Sequence, residues 1–273
     1  MNLSRTLSSS TGGLIHLTYI NLAYNTFVGN MLKEIGNCSK LGHLYLNNNQ
    51  FSGEILSELG KLSSLESLNI CNNMISGAMP EELGNLSSLV EFVAYTNNLT
   101  GPLPRSIGNL KNLKTFSAEQ NLYGNIPTGV INCNTLAGSF PSGLCKLVNR
   151  SAIELDQNKF SGPIPPEIVY CQKLQRLHIA NNYFMSELPK EIGNLSQLAS
   201  FNMLNGRIPP EIVNFKMLQR LDLPRNNFVD SLPNELGTLL QLELLKLSEN
   251  KFSGKILAAL RNLSHLTELQ MGG

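Results

Sequence analysis

Residues 86–109 read LSSLVEFVAYTNNLTGPLPRSIGN. Apolar residues recur at spacings of three, three and two, followed by an asparagine, a glycine four residues later, a Leu-Pro step and a closing Ile-Gly. Written generally, the unit is L-x-x-L-x-x-L-x-L-x-x-N-x-[LF]-x-G-x-[IL]-P-x-x-[LI]-G-x. It occurs at full length, 24 residues, from Leu14, Cys38, Leu62, Leu86, Leu147, Cys171, Phe215 and Leu239. A fixed period of this size marks a stacked repeat architecture, in which no unit buries its apolar face without a neighbour.

Within each unit the L-x-L segment alternates with period two, which predicts a short strand with one buried face. The paired core positions are Ile20/Leu22, Leu44/Leu46, Leu68/Ile70, Ile153/Leu155, Leu177/Ile179, Leu221/Leu223 and Leu245/Leu247. Stacking aligns these strands into a parallel sheet on the inner wall of a curved solenoid. The repeated asparagine (Asn25, Asn49, Asn73, Asn97, Asn158, Asn182, Asn226, Asn250) sits where the chain turns inward. Its amide both donates and accepts, so it suits backbone groups that the turn leaves unpaired. The glycine after it suits a positive φ, and the Ile-Pro or Leu-Pro step suits an extended outer segment.

Three units break the count. The unit from Leu110 has 23 residues and the unit from Leu195 has 20, the latter without its asparagine. The unit from Cys133, CNTLAGSFPSGLCK, has 14 and lacks strand, asparagine and at least two core leucines. Each such leucine contributes roughly 1.5–3 kcal/mol when buried, so this unit is expected to interrupt the inner sheet. The expected organisation is a block at 1–132, a truncated repeat or junction at 133–146, and a second block at 147–273. Residues 1–13 read as the second half of a unit, and the last unit stops just after its strand, so two apolar end faces are expected without a polar cap.

These motifs are the leucine-rich repeat, in the form that the P-and-G punctuation marks as plant and extracellular. NICNNMISGAMPEELGNLSSLVEFVAYTNNLTGPLPRSIGNL resembles early repeats, and LCKLVNRSAIELDQNKFSGPIPPEIVYCQKLQRLHIANN and LTELQMGG later repeats, of the ectodomains of plant leucine-rich-repeat receptor-like kinases. The resemblance implies an α/β-type solenoid, a right-handed superhelix with its parallel sheet on the concave face and about ten to twelve repeats including partial ones. It implies that CNTLAGSFP joins two distant parts of an ectodomain. It also implies recognition of a secreted peptide or protein ligand by the concave face, a leucine-rich-repeat co-receptor as a partner, and a place on the extracellular face of the plasma membrane. The kinase of that family is not expected from this chain, which carries no glycine-rich phosphate loop, H-R-D or D-F-G motif.

Residues flanking the strand leucines face the concave wall. In the first block these are Tyr19, Tyr24, His43, Tyr45 and Tyr95, an aromatic set; in the second they are Glu154, Asp156, Arg176, His178, Arg220, Asp222 and Arg225, a set of mixed charge. Tyrosine and arginine are frequent binding anchors, through large area and forked donors. The competing reading is a merely solvated sheet face, and it applies to the neighbouring carboxylates Glu154 and Asp156 in particular. No nucleophile or metal triad accompanies them in sequence, and His43 and His178 lie on distant repeats, so no catalytic residue, cofactor or metal is expected. Sequons lie at Asn2, Asn37, Asn85, Asn98, Asn149, Asn194 and Asn262. Four of them, Asn37, Asn85, Asn194 and Asn262, fall at the last position of the unit, where glycans would line one ridge.

Composition bounds the rest. A formal charge of +1 argues against a nucleic-acid surface, and no run of about 18 apolar residues is present to insert in a bilayer. The N-terminal stretch has no apolar core of signal-peptide type. Five cysteines without CxxC spacing exclude a zinc ribbon. Cys38, Cys133 and Cys171 fit first core positions, and a Cys145–Cys171 bridge is the disulfide that the spacing leaves open. Two further readings share the repeat: a secreted inhibitor of cell-wall polysaccharide hydrolases, of the polygalacturonase-inhibitor type, and a truncated remnant without independent activity.

Overall fold

The computed structural model describes residues 6, 13–119, 135–140, 144, 151–184, 189–202, 208, 210–223, 231–253 and 258–272. Each repeat makes one coil. Its inner side is a three-residue strand, from Tyr19–Asn21 and His43–Tyr45 at one end to Leu244–Lys246 and Glu268–Gln270 at the other. These strands form a parallel sheet of eleven, paired in sequence order. A second, outer layer of short parallel strands follows the asparagine, and 3-10 turns such as Glu81–Asn85 and Arg105–Asn109 stack along the remaining side.

The apolar positions of the repeat fill the space between the layers. Leu41, Leu44 and Leu46 are wholly buried, as are Leu62, Leu65, Leu68 and Ile70 one coil on. The apolar residue two positions after the asparagine extends this core, with Phe27 stacked on Phe51 at 5.8 Å and Phe160 on Phe184 at 6.3 Å. Cys38 and Cys171 are buried at first core positions; the Cys171 thiol donates to the Leu144 carbonyl at 3.6 Å. Cys133 and Cys145 lie outside the described residues, and the expected Cys145–Cys171 bridge is corrected, since Cys171 keeps its thiol in the core.

The asparagines knit consecutive coils. Asn73 Nδ2 donates to Leu46 O of the preceding coil at 3.0 Å and to Ile70 O at 3.1 Å, while its Oδ1 accepts from Phe51 N at 3.0 Å. Asn97 and Asn182 repeat this pattern one coil apart from their neighbours. The residue before the asparagine turns left-handed in coil after coil: Tyr24, Asn48, Asn72, Thr96, Gln157, Asn181 and Glu249 have φ between 51° and 57°. The glycines at 29, 53, 77, 101 and 162 take the positive φ expected of them.

The expected break of the inner sheet at 133–146 is corrected. Strand Thr115–Ser117 pairs directly with Ala152–Glu154, Phe116 opposite Ile153. The reason lies in where the surplus sits. Asn158 Nδ2 reaches back 40 residues to Ala118 O where Asn182 reaches 27 to Leu155 O, an excess of 13. Beyond it, Leu136 N donates to Asn158 Oδ1 across 22 residues, as Phe160 N does to Asn182. Strand Thr135–Ser139 pairs with both Asn98–Gly101 and Lys159–Gly162, and Gly138 has φ 101°. TLAGSFP is therefore not a unit without a middle. It supplies the outer half of the coil begun at Leu110, with Leu136, Phe140 and Leu144 buried in the core. The additional residues fall in the span 120–134, outside the described residues. The 20-residue unit also closes, since Ser200–Asn202 pairs in register with Arg220–Asp222.

Candidate functional site: the concave wall

Because the strands pair without stagger, the residues that alternate away from the core form lateral rows across the inner wall. One row runs Tyr19, His43, Ser67, Glu91, Thr115, Ala152, Arg176, Ser200, Arg220, Leu244, Glu268. A second runs through Tyr45, Val93, Ser117, Glu154, His178, Asp222 and Lys246. Two residues further along each strand, Cys71, Tyr95, Glu119 and Asp156 continue the wall towards the asparagine turns.

At the first end Tyr19, His43 and Tyr45 form an aromatic triangle. Tyr19 lies 5.7 Å from His43 and 5.6 Å edge-on from Tyr45, and His43 stacks on Tyr45 at 6.2 Å. Tyr19 is half exposed, and Tyr24 in the turn is the most exposed large apolar residue of the chain's described part at 79%. His43 Nδ1 is buried with no hydrogen-bond partner. Tyr95 is drawn towards Cys71, whose thiol hydrogen-bonds it; burial pushes both groups up in pKa. Cys71 thus belongs to the wall, which its spacing did not reveal.

The second half is electrostatic. Arg176 Nε donates to Glu154 Oε1 at 3.1 Å, and Lys246 Nζ to Glu268 Oε1 at 3.2 Å. Asp156 Oδ1 accepts from Ala180 N at 2.6 Å, and Oδ2 stands 3.9 Å from His178 Nδ1. The carboxylates Glu154 and Asp156 are not merely solvated: their side chains are only 17% and 14% exposed. Burial, with the Glu119 carboxylate as second cause, holds Asp156 well above the usual carboxylate range. Burial and the nearby Glu154 charge raise Glu119 to about 7. Burial pushes the His178 imidazole down, towards its neutral form. Burial also raises Asp222, against the opposing pull of Lys246 and Arg220, and its Oδ1 has no hydrogen-bond partner. Arg225, like Asn2 and Asn149, lies outside the described residues. Asn37, Asn85, Asn194 and Asn262 are exposed at the ends of 3-10 turns, away from the wall, and Asn98 is half buried in an outer strand.

Glu119 is a further wall residue that sequence reasoning missed. Its separation from Asp156 is a full unit plus the 13-residue excess, so the count alone hid that they are neighbours in one row.

A stack of coils with a parallel inner sheet, an asparagine ladder and a polar concave wall defines a leucine-rich-repeat solenoid. The Leucine Rich Repeat family model matches residues 40–62, 64–86, 173–195, 217–239 and 241–263. Over nearly its whole length the chain is similar to ectodomains of plant leucine-rich-repeat receptors. These include the plant peptide hormone receptor RGFR1 in complex with RGF2, at 30% identity and TM-score 0.84, covering 99% of this chain and 46% of that one. They also include PEPR1 with AtPEP1, at 30% identity and TM-score 0.88, covering 99% and 37%. A third is the ectodomain of the membrane receptor kinase GASSHO1/SCHENGEN3 from Arabidopsis thaliana in complex with CASPARIAN STRIP INTEGRITY FACTOR 2, at 30% identity and TM-score 0.75, covering 98% and 34%. The chain thus spans less than half the length of each of these three. A plant ice-binding protein shares the fold at 21% identity. No curated protein matches the chain by sequence. Among the described residues no helix is long and apolar enough to cross a membrane.

Proposed function

We propose that this chain is a non-catalytic recognition segment of a plant receptor ectodomain, holding a secreted peptide along its concave wall on the extracellular face of the plasma membrane. The observation that carries this is the unbroken register of eleven inner strands, which makes one wall from two chemically different halves. Strands about 4.8 Å apart give a span of roughly 48 Å, the length of about 14 extended residues. A peptide lying across it meets the aromatic triangle at one end and the Arg176, Arg220 and Asp222 stretch at the other. The similarity to the peptide hormone receptor RGFR1 in complex with RGF2, and to PEPR1 with AtPEP1, supports a peptide as the ligand. Glycans at the exposed sequons of Asn37, Asn85, Asn194 and Asn262 would lie away from the wall, and a leucine-rich-repeat co-receptor is the second partner of this reading. The chain carries no kinase chemistry of its own; that belongs to the receptors it resembles.

The test is a binding screen of the purified chain against synthetic secreted plant peptides, read by fluorescence anisotropy. Saturable binding that weakens at least tenfold in Tyr45→Ala or Arg220→Ala supports the concave site. A panel with no binding above background overturns it.

A further inference from the structure

We propose that Glu119, Asp156 and His178 form a binding site for one divalent cation of the zinc class on the concave wall. One ligand atom from each lies within 4.8 Å of the others, and the three come from adjacent strands of the sheet. Local contacts hold the set. Ala180 N takes Asp156 Oδ1, which leaves Oδ2 turned to the His178 imidazole. Glu119 and Asp156 stand side by side, so two largely buried carboxyls face one small space. A divalent cation set between them and the His178 imidazole would answer the charge of both carboxylates.

A buried hydroxyl lies on the same wall, two residues before Glu119. Ser117, beside Glu154 in the lateral row that continues to His178, is 3% exposed, and its Oγ has no hydrogen-bond partner. Phe116 and Ala118 fill the core on either side, so Ser117 faces the wall. One imidazole with two carboxylates suits zinc; calcium and magnesium prefer six or more oxygens. The site does not rest on the peptide-recognition reading, and either stands if the other fails.

The experiment uses residues 1–273, stripped with chelator and titrated with zinc chloride by calorimetry. X-ray absorption at the zinc edge then identifies the ligands. The expected result is one equivalent bound, a nitrogen-and-oxygen shell, and affinity at least tenfold lower in both His178→Gln and Glu119→Gln. Circular dichroism checks that each variant is folded, and the isosteric Glu119→Gln carries the test if the histidine variant is not. Absence of saturable binding, a sulfur shell from the cysteines, unchanged affinity in a folded variant, or tighter binding of calcium chloride than of zinc chloride each overturns the proposal.

Discussion

Asn97 is wholly buried, and its side chain bonds four backbone groups on two coils: Ile70 O, Ala94 O, Tyr95 O and Ile75 N. Alanine there removes these bonds, and each buried group left unsatisfied costs about 1–3 kcal/mol. Asn97→Ala is therefore expected to lower stability by about 3 kcal/mol or more in urea melts, whereas a loss under 1 kcal/mol would show that water replaces the amide. The adjacent Thr96 runs the other way. It is β-branched and held at φ 51°, where three of the equivalent positions carry asparagine. Thr96→Asn should stabilise by about 1 kcal/mol, measured as a raised urea midpoint. Asp222 gives a pH signature. Facing Arg220, Lys246 and Glu268, its folded pKa is raised by burial, so the fold holds the protonated form better than the unfolded chain does. Its contribution to stability is thus most favourable at acid pH and is lost as pH climbs through the carboxylate range. Asp222→Asn should be more stable than the parent at pH 7.5, with the gap closing towards pH 4; a gap that widens in acid would refute the assignment. The ladder asparagines and the positive-φ glycines were legible in the sequence because each answers a backbone need that recurs in every coil. Glu119 was not, since its neighbour Asp156 is set by register and not by local pattern.

At the scale of the element, the inner strands were plain from period-two alternation, and their pairing follows from equal repeat lengths. The outer strands and 3-10 turns carry no such alternation; they form because coil-to-coil spacing brings their backbones within reach. Close approach on the 3-10 side has its own requirement. A Cβ on Gly36 would lie 2.5 Å from the Glu58 carbonyl, and one on Gly84 would meet Ser106 of the next coil. The neighbour in the first case is backbone, which cannot rotate away. Gly36→Ala is expected to cost roughly 1–3 kcal/mol by forcing the coils apart, read as a fall in melting temperature, while Gly162→Ala meets no neighbour and loses only on its positive φ.

Across the whole molecule, the continuity of core and sheet through the coil begun at Leu110 predicts one cooperative thermal transition, followed by circular dichroism; two transitions would restore the division at 133–146. Register makes a sharper demand. Joining residues 110–120 to 134–146 gives LKNLKTFSAEQNTLAGSFPSGLCK, a complete unit of 24. Deleting 121–133 should therefore leave the melting temperature within a few degrees, and a drop beyond 10 °C would mean that those residues support the stack. The unequal unit lengths were visible in the sequence, but which residues were surplus was not, because the segment 121–133 itself carries half of the repeat pattern.

Each coil can be opened at its asparagine and resumed later, provided the missing half is supplied in phase. A chain built this way works like a spliced tape: cutting it shifts which faces stand edge to edge without unwinding the reel. Pairing of Thr115–Ser117 with Ala152–Glu154 sets Glu119 against Asp156 and His178, while the outer half of the same coil resumes at Thr135. New surface chemistry can thus arise from rearrangement alone, with no substitution in either half.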